Sequence, residues 1–356
     1  IQVCRYYQMP IKRKYFSAGI KTIISIIRNR ITGYRIPLLV SILLTNRCNL
    51  NCIYCFSNAY KSENIDISSE QLYKIIDQLK KCGTILITLT GGEAALRKDI
   101  GDIIDYISQK GIMVELLTNG INFDKNLSAM RKLDFLAISV DGNEETHDKN
   151  RGRGSFRTAI KAVETACENG IHTRIHACFT KFSTESLPEL IEIAKKYNVR
   201  VNIAPPSVHK DNPALNFEAE EVREYYRHMK EFKQKGNSVS NSNATLDFIS
   251  NWPGDFDYIG EKPVPHLPYL PCKRKDFCMY IDVNGNAYPC AALWTRYNIN
   301  VFEKGVKGAF NEFQKIPCTT CINEAEFNLL FNGSISSLMN VAAFSLIDRF
   351  KKVFGK

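Results

Sequence analysis

The sequence predicts an α/β protein, an open and partial (βα)6 barrel followed by a small cysteine-rich module. Three observations predict it. Between residues 38 and 205, short β-rich runs alternate with segments of helical apolar spacing. The alternation makes six units, fewer than the eight that close a full TIM barrel, so a TIM-like but incomplete barrel is expected. The 12 cysteines of the 356-residue chain bunch at short spacings in two places, one directly after the first strand and one near the C-terminal end.

The predicted strands are Leu38–Thr45, Thr84–Thr90, Ile112–Thr118, Phe135–Val140, Ile171–Thr180 and Val199–Pro205. Between them, Ser68–Cys82 reads as a helix with Ser68 and Ser69 as caps. Ile100–Lys110, Ser155–Asn169 and Glu185–Tyr197 complete the helical set. Such repetition implies a parallel sheet with right-handed crossovers, and ligands gathered at the C-terminal ends of the strands. Past residue 205 the rhythm breaks. Pro205, Pro206 and Pro213 mark a loop, Glu218–Lys235 reads as a charged surface helix, Gly236–Asn243 as polar linker, and Pro253–Pro271 as irregular chain. The expected organisation is a basic amphipathic segment (1–37), the barrel (38–205), a helix and linker (206–270), the cysteine-rich module (271–330) and a C-terminal amphipathic helix (331–356).

Composition is that of a globular protein, 44% hydrophobic and 24% charged. The net charge of +10 is carried at the ends. Residues 1–37 hold eight Lys and Arg with no Asp or Glu, while the body is close to neutral. A nucleic-acid enzyme would carry a basic stripe across its body, so nucleic acid is not an expected partner. No secretory signal pattern and no bilayer-length apolar run is visible. Clustered cysteines then point to metal in a reducing, cytoplasmic compartment rather than to a disulfide scaffold.

The decisive string is Cys48-Asn-Leu-Asn-Cys52-Ile-Tyr-Cys55, just after the first predicted strand. Three thiolates on one tight loop can hold three irons of a 4Fe–4S cube and leave the fourth open. Structural zinc wants four tetrahedral ligands, which a lone triplet does not supply. This C-x3-C-x2-C motif, with an aromatic before its last cysteine, resembles the signature of radical S-adenosylmethionine (SAM) enzymes. The resemblance covers roughly residues 38–205. It implies that Cys48, Cys52 and Cys55 ligate a catalytic cluster whose open iron chelates SAM. An electron from the reduced cluster, delivered by a reductant such as flavodoxin or ferredoxin, would cleave SAM to a 5′-deoxyadenosyl radical that takes hydrogen from substrate. Tyr54 would lie near the adenine. Thr90-Gly91-Gly92-Glu93 resembles the family's GGE motif, which receives the SAM amino group. Glycines suit it because the backbone must approach the ligand closely. Asn119, Ser139 and Asp141 fall where the family has ribose or substrate-side elements, and Arg151 resembles an arginine that pairs with the SAM carboxylate. Taken singly, Gly-Gly, Asn119-Gly120 and Asp141-Gly142 are ordinary turn signals; it is their order, each after a predicted strand, that gives them weight.

Cys272, Cys278, Cys290, Cys318 and Cys321 crowd into fifty residues. Their spacing, with Gly285 in a hairpin around Asn284-Gly285, resembles the SPASM extension or its shorter form, twitch. That implies an auxiliary 4Fe–4S cluster on Cys272, Cys290, Cys318 and Cys321. Since no cysteine follows Cys321, twitch is the better label. A structural zinc ribbon uses similar spacing and stands as the alternative. Cys278 is either a buried thiol or a substitute for Cys272, and Cys4, Cys82, Cys167 and Cys178 read as core thiols.

At the N-terminal end Ile20, Ile23, Ile24, Ile27 and Ile31 share one helical face, with Lys21, Ser25 and Arg28 opposite. Ile335, Leu338, Met339, Ala342, Leu346, Phe350 and Val353 do so at the other end. Basic amphipathic helices either pack their apolar face on the barrel or lie on an anionic membrane surface; both readings stand, the second placing the protein at the inner face of a membrane. His172, Arg174 and His176 alternate along one strand and face one way, towards the barrel interior. His147 stands just before Arg151. The substrate is not readable. The basic ends lean towards an amphiphilic or membrane-derived molecule, and peptide modification is the runner-up, since only 37 residues precede the barrel where a leader-recognition domain would stand. A cluster- or zinc-binding protein without SAM chemistry is the alternative of another class.

Overall fold

The computed structural model describes residues 13–55, 66–204, 217–254, 256, 270–294, 296–318, 322 and 325–342. Six parallel strands run in the order in which they occur along the chain: β1 (Leu39–Leu43), β2 (Leu86–Thr90), β3 (Met113–Thr118), β4 (Phe135–Ser139), β5 (Thr173–Cys178) and β6 (Arg200–Ala204). Each is one to four residues shorter than its predicted run, because the ladder ends where the flanking loops turn away. The intervening helices match as well. They include α2 (Ser69–Cys82), α3 (Ile100–Gln109), the short α4 (Leu127–Met130), α5 (Glu144–Arg151), α6 (Ser155–Glu168) and α7 (Leu187–Tyr197). Ser68, not Ser69, caps α2: its side chain accepts from the Gln71 N–H, and the Gln71 side chain accepts from the Ser68 N–H in return. One face of each strand, such as Val114 and Leu116 or Ile175 and Ala177, is buried in one core with the helices. The opposite faces of β3 and β5 carry Glu115 and Arg174, which pair at 2.7 Å across β4 inside the barrel.

The sheet does not stop at six strands. β7 (Cys278–Ile281) pairs parallel to β1, and β8 (Ala287–Tyr288) pairs antiparallel to β7, giving the order β6-β5-β4-β3-β2-β1-β7-β8. The predicted hairpin around Asn284-Gly285 is therefore part of the barrel sheet. Asp282 organises its turn by accepting from the Asn284 and Asn286 N–H groups at 2.9 and 2.8 Å. Cys278, at the start of β7, packs in a second apolar cluster with Ile26, Ile36, Leu38, Phe277, Leu330 and Phe331.

The charged helix past the barrel is present as α8 (Ala219–Gln234). The polar segment after it behaves otherwise than expected. Residues 238–240 bond to Val201 along the β6 edge, and Ser242 caps a further helix, α9 (Asn243–Ser250), that buries Leu246 and Ile249. The turn α10 (Arg274–Phe277), then α11 (Val301–Glu312), α12 (Ala325–Phe331) and α13 (Ile335–Ala342) complete the described helices. Predicted helix beyond Ala342, most of Pro253–Pro271 and Cys4 lie outside the described residues.

Helix α1 (Arg13–Thr32) crosses the barrel at the N-terminal ends of the strands. Lys14 and Tyr15 both donate to the carboxylate of Asp134, the residue before β4, at 2.6 and 3.0 Å. At its far end Asn29 accepts from Lys273, and Arg35, just past the helix, pairs with Asp276 ahead of β7 at 2.9 Å. Asp134 is buried and also accepts the Val114 N–H at 3.0 Å. Replacing Asp134 by Ala leaves these buried donors without an acceptor, at about 1–3 kcal/mol. Limited trypsinolysis should then cut α1 at Lys21 and Arg28 well before the rest of the chain; unchanged resistance would show that apolar packing alone holds the helix.

Candidate active site

The cysteine loop leaves β1 at its C-terminal end and is gripped on two sides. On the β2 side, Gly92 N–H donates to the Thr45 carbonyl at 2.7 Å and Glu93 N–H to the Arg47 carbonyl at 2.8 Å. The approach is so close that a Cβ on Gly91 would lie 2.5 Å from the Thr45 oxygen, and one on Gly92 2.3 Å from that of Arg47. The structure gives the two glycines a reason of their own. They are required by the backbone of the cysteine loop, which presses on them. On the β4–α5 side, Ile53 N–H donates to the Asn150 carbonyl at 2.9 Å, and the Tyr54 hydroxyl to Asp141 at 2.6 Å.

Asp141 is the hub of that second side. Arg151 grips it with two parallel bonds of 2.7 and 2.9 Å, and the Cys178 N–H adds a third at 3.1 Å. Burial alone would raise the Asp141 carboxyl, but the Arg151 charge and the bonds it receives outweigh this and hold it below the usual range. Arg151 thus spends Nε and one terminal nitrogen on Asp141, with its guanidinium 5.4 Å from the centre of the Tyr54 ring. His147, just upstream, accepts the Asp141 N–H at 3.3 Å, and burial lowers its pKa to about 4, so it is neutral near pH 7.

Glu93 is fully enclosed. Its carboxylate accepts from the Ala95 N–H at 3.0 Å, the Thr118 hydroxyl at 2.8 Å and the Asn119 N–H at 2.7 Å. All three donors are neutral, and burial raises the Glu93 pKa in spite of them. A carboxylate offers about four lone-pair positions, so one acceptor site and an uncompensated charge are left for a cation. An ammonium group meets both needs. Asn119 also donates to Asn49 in the cysteine loop at 2.8 Å, and so joins the end of β3 to it. Ser139 ends β4, buried, in register with His176 on β5, which shares a 3.2 Å contact with Asn202 on β6.

The three thiols lie near one another: Cys55 and Cys48 both oppose ionisation of Cys52, and Glu93 and Cys55 that of Cys48. Burial pushes Cys52 up to about 12, opposed mainly by Arg151. Among the described residues no three His, Cys, Asp or Glu side chains gather as one metal ion would need. A 4Fe–4S cube is compatible with that spread, because each thiolate takes a separate iron.

In the second cysteine group, Cys272, Cys290 and Cys318 are all buried. Arg274 donates to the Pro289 carbonyl at 3.3 Å and Lys275 to that of Ile316 at 3.0 Å, which draws the three segments together. The Cys318 thiol hydrogen-bonds Cys272, lowering the Cys272 pKa to about 6 with help from Arg274. Cys321 lies outside the described residues. Cys278 sits in the apolar cluster already described. Cys167 is a core thiol as expected, whereas Cys178 is at the C-terminal end of β5 beside Tyr54 and Asp141. Sequence reading missed Asn49, Thr118 and the Asn150 carbonyl. Only the neighbourhood of Asn49 to the cysteines could have flagged any of them.

Two substitutions test this geometry. Gly92→Ala drives a Cβ into the Arg47 carbonyl, costing about 1–3 kcal/mol and displacing the loop; iron bound after anaerobic reconstitution should fall with the melting temperature. Asp141→Asn leaves Arg151 buried and unpaired and should destabilise by about 3–5 kcal/mol in chemical denaturation. A stable Asp141→Asn protein would mean that Arg151 has another partner.

Residues 42–194 match the model of the radical SAM superfamily. Fe-coproporphyrin III synthase of Methanosarcina barkeri is 30% identical over 161 residues, 44% of this chain and 40% of its own length. The mycofactocin maturase MftC of Mycolicibacterium smegmatis is 30% identical over 176 residues, 48% of this chain and 45% of its own. The chain thus spans less than half the length of these relatives. Streptococcus suis SuiB, solved bound to S-adenosylmethionine, shares the fold with a TM-score of 0.63 at 20% identity, over 83% of this chain and 69% of SuiB. The similarity to the radical SAM superfamily thus runs from β1 into α7, over residues 42–194.

Proposed function

We propose that the protein is a radical SAM enzyme that cleaves S-adenosylmethionine reductively and abstracts hydrogen from a substrate held in the barrel. The observation that carries this reading is the loop of Cys48, Cys52 and Cys55, held between the Gly91-Gly92 strap and the Asp141–Arg151 pair. A bound 4Fe–4S cluster would supply the electron and the chelating iron for that chemistry. The chain's own residues supply the rest. The three cysteines would hold the cluster. Glu93 has the position and the unsatisfied charge to receive the SAM ammonium group. Arg151 retains one nitrogen beyond its grip on Asp141, and Tyr54, beneath its guanidinium, offers a ring to the adenine. Asn119 and Ser139 close the site at the ends of β3 and β4. The barrel walls exclude water and stray hydrogen donors, which would otherwise quench a radical.

Cys272, Cys290 and Cys318, with Cys321, would hold the auxiliary cluster of a twitch-like module. The Cys318–Cys272 contact and the lowered pKa of Cys272 support a metal-bound thiolate pair there. The reading includes a small protein reductant such as flavodoxin or ferredoxin and a cytoplasmic location at the inner membrane surface. No helix among the described residues is long and apolar enough to cross a membrane. For the substrate, the names of the relatives include both a maturase and a porphyrin synthase. SuiB has also been solved with a precursor peptide. A peptide is favoured over a membrane-derived amphiphile, because the basic helix that suggested the latter lies at the N-terminal ends of the strands, away from the cysteine loop.

Anaerobic reconstitution followed by dithionite and SAM tests this directly. The intact chain should bind about eight irons and release 5′-deoxyadenosine, with four thiolates to each cluster apart from the open iron. Cys52→Ala should keep only the auxiliary iron and lose all deoxyadenosine. Deoxyadenosine undiminished in Cys52→Ala would overturn the assignment, and zinc in place of the second set of irons would turn the module into a structural ribbon.

A further inference from the structure

Helix α1 is amphipathic, and its larger apolar face points outward. The face packed on the barrel is built of Ala18, Thr22, Ser25, Ile26 and Asn29, all buried. Phe16, Ile20, Ile23, Ile24, Ile27 and Ile31 are 41% exposed or more, Ile31 at 77%. Of the two readings of the isoleucine stripe, packing on the barrel therefore does not account for it. Among the described residues only nine large hydrophobic side chains are exposed; six are these, and two more, Ile335 and Met339, are on α13. The two helices adjoin. Arg30 near the end of α1 bonds the Asn332 carbonyl just ahead of α13, and Leu338 of α13 packs on the cluster that holds Ile26.

We propose that this α1–α13 surface docks the enzyme on an anionic phospholipid bilayer, with the mouth of the barrel turned away from the membrane. The proposal rests on the membrane-surface location suggested above and names the face, the lipid and the orientation. A row of isoleucines with a phenylalanine is the apolar half of an interfacial helix. Arg28 and Arg30 are exposed on the same helix, whereas Lys21 turns to Gly83 on the barrel, and residues 1–37 contain no acidic side chain to oppose lipid phosphates. A second copy of the chain is a poor occupant, because pairing α1 with itself sets cation against cation with no acid between them. The orientation follows from topology. Helix α1 bonds to Asp134 before β4 and lies beside Gly83 before β2, whereas the cysteine loop, Glu93, Asn119 and Asp141 follow the C-terminal ends of β1 to β4.

The full chain should co-sediment with phosphatidylcholine vesicles containing about 30% phosphatidylglycerol and much less with phosphatidylcholine alone. The double variant Ile23→Ser/Ile27→Ser changes only exposed side chains, so it should fold as before. Its partitioning should drop about ten-fold or more. A tryptophan at position 27 should shift to the blue and be quenched by brominated lipid, whereas one introduced at Glu145, beside the site, should not. Failure of the intact chain to bind anionic vesicles would overturn the proposal. So would a dimer in light scattering that the double variant abolishes, because the surface would then belong to a second copy. Deoxyadenosine formation by the double variant should match the intact chain. Vesicle binding without any cleavage would sink the enzymatic reading and leave this one standing.

Discussion

The buried carboxylate of Asp141 holds four separate pieces of chain at one point. The Tyr54 hydroxyl comes from the cysteine loop, Arg151 from the end of α5, the Cys178 N–H from the end of β5, and Asp141 itself follows β4. A buried charge pair of this kind adds little net stability compared with apolar packing, but removing either partner is costly. Its effect here is positional. With Arg151 fixed, both Tyr54 and Cys52 sit beside a permanent positive charge, in a place otherwise dominated by burial.

The opposite flank of the loop is held without charge. Gly91 and Gly92 let the backbone of Thr45–Arg47 come within hydrogen-bond reach of the residues after β2, a distance that any side chain would forbid. The same contact carries Glu93 under the loop, where it meets Thr118 and Asn119 from β3. Strap and hub therefore set one cation-seeking carboxylate and one buried guanidinium around three thiols. A zwitterionic ligand, with an ammonium and a carboxylate on the same carbon, is the complement of such a pair. Under the proposed function, the arrangement would recognise such a ligand by charge order more than by shape.

Much of this was legible in the sequence, for reasons that differ by element. The six barrel strands are buried on the helix side, so their runs of Ile, Leu and Val stand out, and Ser68 with Gln71 marks the start of α2. The C-x3-C-x2-C string identified the site because three thiols on one loop have few other uses. The extension of the sheet by β7 and β8 was not legible. A hairpin's sequence specifies its own turn, through Asp282 and Gly285, but not the edge on which it will pair. Helix α9 was hidden because Asn243-Ala-Thr has weak propensity and its stability comes from Leu246 and Ile249 packing beneath α8. The clamps by Asn49 and the Asn150 carbonyl were invisible because a side-chain amide or a backbone oxygen leaves no pattern in sequence.

The N-terminal helix shows a further limit of periodicity. A 3.6-residue stripe says that one face differs from the other, but not which face meets the protein. In α1 the docking face is held by polar anchors, Lys14 and Tyr15 on Asp134 and Lys273 on Asn29, and by small residues that let the helix lie close. That frees the isoleucines. Were they set on a bilayer, the strands of about 17–20 Å would stand between the lipid and the cysteine loop. An acyl chain would have to leave the membrane to reach the site, at about 0.8 kcal/mol for each methylene exposed. A flexible polar chain such as a peptide reaches the same mouth from water at no such cost. Anchoring at the closed end is thus better suited to holding the enzyme near a membrane-bound neighbour than to drawing its substrate from the lipid.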